Sequence, residues 1–514
     1  MARLIVFDGA DCIGGNKIHL SFEKKGKRTG VFLDFGINYH KLGDYYQEFL
    51  QPRSCRGVHD HVQMHLVPFI QNYRHDVIPD DLNLSKAPKL DLAAIMVSHA
   101  HMDHMGHAAL LALEVPMVCS PITAAIMKAM RDLDQGGFES QCAYTNVGSS
   151  RSREGRVISY GSREAYHGRD IILTQDWAPS LTKLWSKSSA KNKVIEGGGL
   201  FNKDTLDLDF ESFPVDHSIF GSTAYAINTE KGYVVYTGDL RSHGTQADST
   251  WDFVRKAASL DPVVLIIEGT TTSRSHEEIV SEASVRETCL HDVQNEKGLI
   301  VADFSPRHFE RLETFKAIAI ASDRQLVVTF KDIYYLWALG CADGKNHLEG
   351  LVAYDALKTS LSNAENFARD LMIDSLVDPK EISADPGRYI LAFSFYDMGN
   401  MLDIGPIGGT YIYSSSEIYN EEQVIDFLRL HQWLKKFGMN IKGFRIDVMD
   451  GRATPVFDHR YHASGHASVE DLLRIVEEID PKLVIPVHTE NPHPFSKWKN
   501  GRVLYPGPAE PIDL

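Results

Sequence analysis

The spacing of apolar residues divides the chain into two styles. In the first 40 residues, short apolar runs at Leu4–Phe7, Ile18–Phe22 and Val31–Leu33 surround a Gly14-Gly15-Asn16 turn and end at Asp34. This pattern predicts strands joined by turns. A run from Leu90 to Ser98 predicts a buried strand, Ala108 to Leu113 a helix, and Tyr233–Tyr236 and Val263–Ile267 two more strands. From about Leu299 the pattern alternates. Leu299–Val301 leads through Phe304-Ser305-Pro306 into helical spacing over Arg307–Ala321. Apolar runs at Gln325–Thr329, Tyr389–Phe393 and Thr410–Tyr413 predict strands, and Glu421–Phe437 a helix. Strands alternating with helices imply a parallel, Rossmann-like sheet. The last 60 residues return to the first style, with a helix and then the strand Leu483–Val487. An α/β protein is expected in which residues 283–455 are inserted into a domain made of residues 1–282 and 456–514.

One helix is set closely by its local chemistry. Ser468 is its expected N-cap, Val469, Leu472, Leu473, Val476 and Ile479 share one apolar face, and Pro481 stops it. Gly465 and His466 then precede a helix start, where free N–H groups and the positive dipole end suit a phosphate.

Composition narrows the class without naming it. Apolar residues make up 43% and charged residues 24% of the 514, which excludes a disordered, collagen-like or coiled-coil chain. The net charge is −16, with 23 histidines besides. Such a balance argues against a protein that coats nucleic acid non-specifically and leaves room for a local basic groove. The six cysteines are scattered with no CxxC pair, so neither a disulfide framework nor a thiolate metal site is indicated. The apolar-rich stretch Ala108–Met127 is interrupted by Glu114, Pro116 and Pro121, and the N-terminus lacks a signal-peptide layout. A soluble cytoplasmic enzyme with no membrane partner is expected.

The decisive segment is Ser98-His99-Ala100-His101-Met102-Asp103-His104, directly after an apolar strand. Four ligand-type side chains within six residues of a loop converge on one small volume. Imidazoles with a carboxylate suit zinc, or manganese as the harder alternative. His217 in Pro214-Val215-Asp216-His217, Asp239 in Tyr236-Thr237-Gly238-Asp239 and His488 in Ile485-Pro486-Val487-His488 are further candidates. The last two follow apolar strands, where sheet-end residues can converge. Together they supply seven ligands, enough for two metals sharing a carboxylate.

With these residues on view, the chain resembles the metallo-β-lactamase superfamily, its β-CASP nuclease branch and, within that, ribonuclease J-like enzymes. Ile13-Gly14-Gly15-Asn16 and Phe32-Leu33-Asp34-Phe35-Gly36 resemble the family's first strands. His99 to His104 match its second motif, His217 the third and Asp239 the fourth. Glu268 in Ile267-Glu268-Gly269-Thr270, His466 in His462-Ala463-Ser464-Gly465-His466-Ala467, and His488 match the three β-CASP motifs.

The resemblance implies a metallo-β-lactamase αββα sandwich with an inserted Rossmann-like β-CASP domain. It further implies two divalent metal ions, Zn2+ first and Mn2+ or Mg2+ as alternatives. His99, His101 and His217 would hold one ion and Asp103, His104 and His488 the other, with Asp239 bridging. Asp103, Asp239 and His466 would be catalytic, and Asp34 and Glu268 would orient ligands. Ser414, Ser415, Ser416, His462 and Ser464 would bind a 5′-monophosphate. Arg307, with Arg311, would lie near the RNA path. The implied activity is a metal-dependent ribonuclease on single-stranded RNA, acting 5′-to-3′ as an exonuclease and also as an endonuclease. Histidine rather than valine at position 488 favours RNA over DNA. The alternatives are a DNA nuclease and a small-molecule hydrolase; the latter lacks the insert and the HxSGHA segment. A homodimer is open.

Three features depart from that pattern. The chain ends about 26 residues after His488, so the C-terminal domain of many bacterial ribonuclease J proteins is expected to be absent. Thr489-Glu490-Asn491-Pro492-His493 replaces the family's Gly-Glu turn. The stretch Arg151–Lys193 carries nine basic and four acidic residues, interleaved with Tyr160, Tyr166, Trp177 and Trp185. Its composition suits a lid over single-stranded RNA, an oligomer contact or a disordered loop. The His59-Asp60-His61 and His65 cluster is expected on a solvated helix rather than at a second metal site.

Overall fold

A computed structural model of the chain describes residues 2–514 except 48, 135–136, 161–164, 190–192, 274–279, 416–420 and 450. The opening apolar alternation becomes three antiparallel strands, Arg3–Asp8, Lys17–Lys24 and Lys27–Phe35, with Leu4 opposite Leu20 and Leu20 opposite Val31. The sheet continues in parallel through Ala94–Met96, Met117–Cys119, Ile171–Leu173 and Leu200–Asn202, and Pro511–Asp513 closes the opposite edge. A second sheet runs Phe210–Pro214, Thr223–Thr229, Gly232–Tyr236, Val264–Glu268, Leu483–Val487, Arg502–Val503. Leu4, Ile18, Val31 and Met96 from the first sheet pack on Tyr225, Val234, Ile266 and Ile485 from the second, all fully buried. Each such side chain contributes roughly 2 kcal/mol when taken from water. The helix Pro121–Leu133 covers the first sheet, and Ala247–Ser259 and Val469–Ile479 cover the second, giving the αββα sandwich.

Val264–Glu268 and Leu483–Val487 are hydrogen-bonded neighbours, although a whole sheet lies between them in the chain. That sheet has seven strands, all parallel, in the order Leu376–Val377, Leu351–Tyr354, Gln325–Val328, Tyr389–Ala392, Ile300–Asp303, Thr410–Tyr413, Asn440–Lys442. The order reverses around Ile300–Asp303, so the C-terminal strand ends there open a crevice. A buried helix missed by periodicity, Phe330–Asp343, is apolar on most sides and packs against Pro121–Leu133, joining insert to sandwich. Tyr334 donates its hydroxyl to Asp132 across that joint at 2.8 Å.

Three expectations are corrected. The helix foreseen over Ala108–Leu113 is a single 3-10 turn, Ala108–Leu110. Buried Arg169 donates to the carbonyls of Ala112, Val115 and Leu111 at 2.6, 2.6 and 2.7 Å, taking acceptors that a longer helix would use itself. Two of the four interleaved aromatics of 151–193, Tyr166 and Trp185, are buried and so withdrawn from any base-stacking face, because the segment adds Ile171–Leu173 to the main sheet and packs the helix Pro179–Trp185 inward. The short helix His59–Gln63 is likewise not solvated. Asp60 accepts three bonds from Arg53, and buried His61 packs edge-on to His107 at 5.3 Å. Among the described residues, no helix is long and apolar enough to cross a membrane.

Candidate metal centre

Four segments deliver the ligand-type side chains from the ends of strands in both sheets. The His99–His104 loop leaves Ala94–Met96 and is pinned at its start, where Asp34 accepts from the backbone N–H and the hydroxyl of Ser98, both at 2.7 Å. Farther along, Asp103 O accepts from Gly15 N at 3.0 Å and Met102 O from Ile37 N at 2.9 Å. Only glycine fits at Gly36, since a Cβ there would stand 1.7 Å from Asp103 O. Asp34 and His488 both adopt left-handed backbone, at φ 58° and 53°. For non-glycine residues this costs on the order of 1 kcal/mol, and it turns each side chain off its strand end toward the loop. Gly238 (φ 57°) makes the matching turn before Asp239.

The side chains meet in two groups. His99, His101 and His217 place one nitrogen each within 4.8 Å of one another, and so do Asp103, His104, Asp239 and His488 with one ligand atom each. Asp239 Oδ2 lies between the groups, 3.0 Å from His104 Nε2, 3.7 Å from His488 Nε2 and 3.9 Å from His99 Nε2. Asp103 Oδ2 stands 3.3 Å from His488 Nε2 and 3.8 Å from His104 Nε2.

Outer partners set which nitrogen each imidazole presents. His104 Nδ1 donates to Asp34 at 2.7 Å and His217 Nδ1 to Gly465 O at 2.5 Å. Ser98 Oγ and Thr270 Oγ1 already donate to carboxylates, so they accept from His99 Nδ1 (3.0 Å) and His488 Nδ1 (2.8 Å). In all four rings Nε2 is the nitrogen turned inward. His101 turns the other way, with Nδ1 3.0 Å from His99 Nε2 and 3.2 Å from His217 Nε2.

The three nitrogens stand close enough to hold one cation among them. Burial makes a proton the wrong cation: it pushes His217 down to about 3, with His466 adding to the effect, and holds His99 and His101 well below the usual range. His104 goes up, since Asp239, Asp103 and Asp34 outweigh its burial. Burial opposes ionisation of Asp103 and Asp239 too, yet the charge of His104 on both, with His488, holds them low. Asp239 Oδ1 is buried without a hydrogen-bond partner. Donor set, tautomers and this orphan oxygen fit divalent metal ions.

Beside the ligands, His466 Nδ1 lies 3.0 Å from Glu268 Oε2, and its ring centre is 5.2 Å from that of His217. Glu268 is buried and also accepts from Leu240 N (2.8 Å) and Thr270 Oγ1 (2.6 Å), so one carboxylate orients His466 directly and His488 through Thr270. Ser464 Oγ accepts from His466 N at 3.1 Å, and both Ser464 and His462 are partly exposed. The foreseen helix start holds, with Ser468 capping Asp471 N at 3.1 Å.

The other substrate candidates divide. Arg307 is partly exposed and reaches the metal loop, donating to Ala100 O at 3.3 Å. Ser414 departs from its expected place in a phosphate pocket. It is fully buried, its hydroxyl donating to Tyr461 O at 2.6 Å and accepting from Arg311 at 2.5 Å. Ser415 is partly exposed, and Ser416 lies outside the described residues. Arg311 is neither solvated nor on an RNA path: it is buried, forked onto Glu282 at 2.7 and 2.9 Å. Sequence reasoning missed Tyr236, whose hydroxyl donates to Asp34 at 2.6 Å, and Thr270. Both sit one to three residues from a recognised motif residue, which was the available signal. It also missed the buried group Asp216–Arg241–Glu310, in which Glu310 of the insert contacts Arg241, two residues beyond Asp239.

A family described as "Zn-dependent metallo-hydrolase RNA specificity domain" matches residues 459–493, the segment carrying His462, Ser464, His466 and His488. The chain is 21% identical over 354 residues to ribonuclease J 2 of Streptococcus pyogenes, covering 66% of this chain and 59% of that protein. It is 23% identical over 463 residues to ribonuclease J of Sinorhizobium meliloti (85% and 68%) and 21% over 445 residues to that of Pyrococcus abyssi (84% and 81%). The chain thus spans less than two thirds of the first of these relatives. A crystal structure of a protein of unknown function from Enterococcus faecalis shares the fold, with a TM-score of 0.67, 21% identity and full coverage of both chains. Fold, ligand arrangement and likeness agree, and the chain resembles the ribonuclease J-like enzymes of the β-CASP branch of the metallo-β-lactamase superfamily.

Proposed function

We propose that the protein is a metal-dependent ribonuclease that hydrolyses phosphodiester bonds of single-stranded RNA, working from the 5′ end and also cutting internally. The observation that carries this reading is the position of Asp239 Oδ2 between two ligand groups, with His466 alongside. The RNA-specificity match over 459–493 and the relatives' printed names support RNA as the polymer.

In this reading His99, His101 and His217 hold one divalent ion, Asp103, His104 and His488 the other, and Asp239 both. Zinc suits the imidazole-rich set. Held by these residues, divalent ions would supply Lewis acidity and a nucleophilic water near neutral pH. Asp103 and Asp239 hold their carboxylates ionised among the imidazoles. Glu268 fixes the His466 Nδ1 proton, so Nε2 is the nitrogen that hands a proton to the leaving oxygen. Asp34 and Glu268 orient ligands without touching substrate. Ser415, Ser464 and His462 supply donors for a 5′-monophosphate, with Arg307 on the RNA path and Ser414 holding Tyr461 behind them. The insert is taken as 283–455, which brackets the seven-stranded sheet. The reading includes a cytoplasmic location, and a homodimer is compatible with it.

The test is purified protein with Zn2+ or Mn2+ on end-labelled single-stranded RNA bearing 5′-hydroxyl, monophosphate or triphosphate, with single-stranded DNA alongside. Mononucleotides released from the 5′ end of RNA, abolished by Asp103→Ala, support it. Cleavage of DNA alone, or cleavage unchanged in the variant, sinks it.

A further inference from the structure

The metal ligands rest on the strand ends beneath them, and one buried ion pair there touches two ligand supports at once. Lys17 is fully buried at the start of Lys17–Lys24, with Nζ 3.3 Å from Asp8 Oδ2 and donating to Gly15 O at 3.2 Å. Gly15 in turn donates its N–H to Asp103 O at 3.0 Å. On the other side, Asp8 Oδ1 accepts from Gly9 N at 3.1 Å, and Gly9 O accepts from His488 N at 2.6 Å. Asn38 and Lys41 complete the carboxylate at 2.8 and 2.9 Å. Asp103 and His488 are both in the group Asp103, His104, Asp239, His488. His99 and His217 are held instead by Ser98 and Gly465.

We infer that Lys17 and Asp8 form a brace that positions Asp103 and His488, and so governs one of the two metal sites while leaving the three-histidine site alone. An apolar pair of similar volume would avoid the desolvation cost of burying two charges. It could not, however, hold Gly15 O and the Gly9 N–H in register. In this role Lys17 is a positioning residue: its ammonium acts on Asp103 only through the Gly15 backbone. The inference needs the metal centre but not RNA as substrate, so it stands or falls apart from the proposed activity.

The experiment titrates Zn2+ into metal-free parent, Lys17→Met and Lys17→Arg proteins by calorimetry, with Co2+ absorption spectra to separate the two sites. The parent is expected to take up two ions. Lys17→Met should bind one ion as the parent does and the other about 10–100-fold more weakly, the usual effect of removing an outer support. Lys17→Arg, which keeps a buried donor, should recover most of the loss. Parental affinity at both sites in Lys17→Met overturns the inference, as does equal weakening of both or a parent that binds a single ion. Should Lys17→Met fail to fold by circular dichroism, Lys41→Met is read in the same way. Its partly exposed side chain donates to the same carboxylate, so a severalfold loss confined to one ion supports the brace, and no loss overturns it.

Discussion

His104 Nδ1 donates to Asp34 Oδ2 at 2.7 Å, and that same oxygen accepts from Ser98 Oγ and Tyr236 OH at 2.7 and 2.6 Å. One buried carboxylate from the first sheet thus holds the proposed ligand His104, the start of its loop and a tyrosine of the second sheet. Without it, His104 could carry its proton on Nε2 and would no longer offer a lone pair to a metal. Asp34→Ala should lower metal affinity about 10–100-fold. Stability should fall by on the order of 3 kcal/mol, from the buried donors left unpaired. Metal titration and denaturant unfolding measure the two; parental values in both would show that Asp34 has no such role.

Gly36 tests whether the ligand loop tolerates any displacement. The methyl of Gly36→Ala would overlap Asp103 O and force the Met102–Met105 turn outward. A loss of about 1–3 kcal/mol is expected, as for other overpacked sites. Metal uptake should fall with it, read by elemental analysis after dialysis against buffered Zn2+.

The His466–Glu268 pair separates proton transfer from ligand holding. His466→Ala should keep its metal content, while the hydrolytic rate falls about 10²–10⁴-fold. Glu268→Gln should show a smaller fall together with a changed pH profile, because the amide still accepts from Leu240 N but no longer carries the charge facing His466. Loss of metal in His466→Ala would instead make that histidine a ligand.

Asp303, at the end of Ile300–Asp303, is pushed up to about 7 by burial, against the lowering effect of the Tyr411 hydroxyl it accepts. Its unfolded value lies near 4. Between about pH 4 and pH 7 the unfolded chain releases this proton and the folded one keeps it. The group therefore favours unfolding increasingly as pH rises through that window, with no further change above it. Asp303→Asn, which still accepts from Tyr411, should match the parent near pH 4 and melt higher than the parent at pH 8. Melting curves across that range decide the point, and a constant difference refutes it.

Metal removal should loosen the sandwich itself, since the proposed ligands come from both sheets. Chelation should lower the melting temperature, and Zn2+ should restore it in a concentration-dependent way, by about 4 kcal/mol at a thousandfold excess over Kd. A melting curve indifferent to chelator would mean that the centre forms no part of the folded state's stability.

How much of this was legible in the chain depended on distance along it. The strands Lys17–Lys24 and Leu483–Val487 and the helix Val469–Ile479 follow from apolar spacing and a capping serine, which are local signals. The helix Phe330–Asp343 escaped because a helix buried on most sides has no polar face to mark its period. The interleaved aromatics of 151–193 misled for a related reason: composition does not say whether a tyrosine faces solvent or a neighbouring helix. Ser414 was read as a phosphate-binding group and Arg311 as lying near the RNA path, and the fold buried them against each other and Tyr461.

His99, His101, Asp103 and His104 had to be neighbours, because six residues of loop cannot separate them, and chain connectivity alone ensures this. The meeting of that loop with His217, Asp239 and His488 was decided by strand order and register across two sheets. A shift of one residue in Val264–Glu268 against Leu483–Val487 would turn His488 away. The choice of nitrogen on each ring was decided later still, by Asp34, Ser98, Gly465 and Thr270, which approach from remote parts of the chain. Covalent connectivity limits distances only over a few residues; beyond that, packing and hydrogen bonding set them.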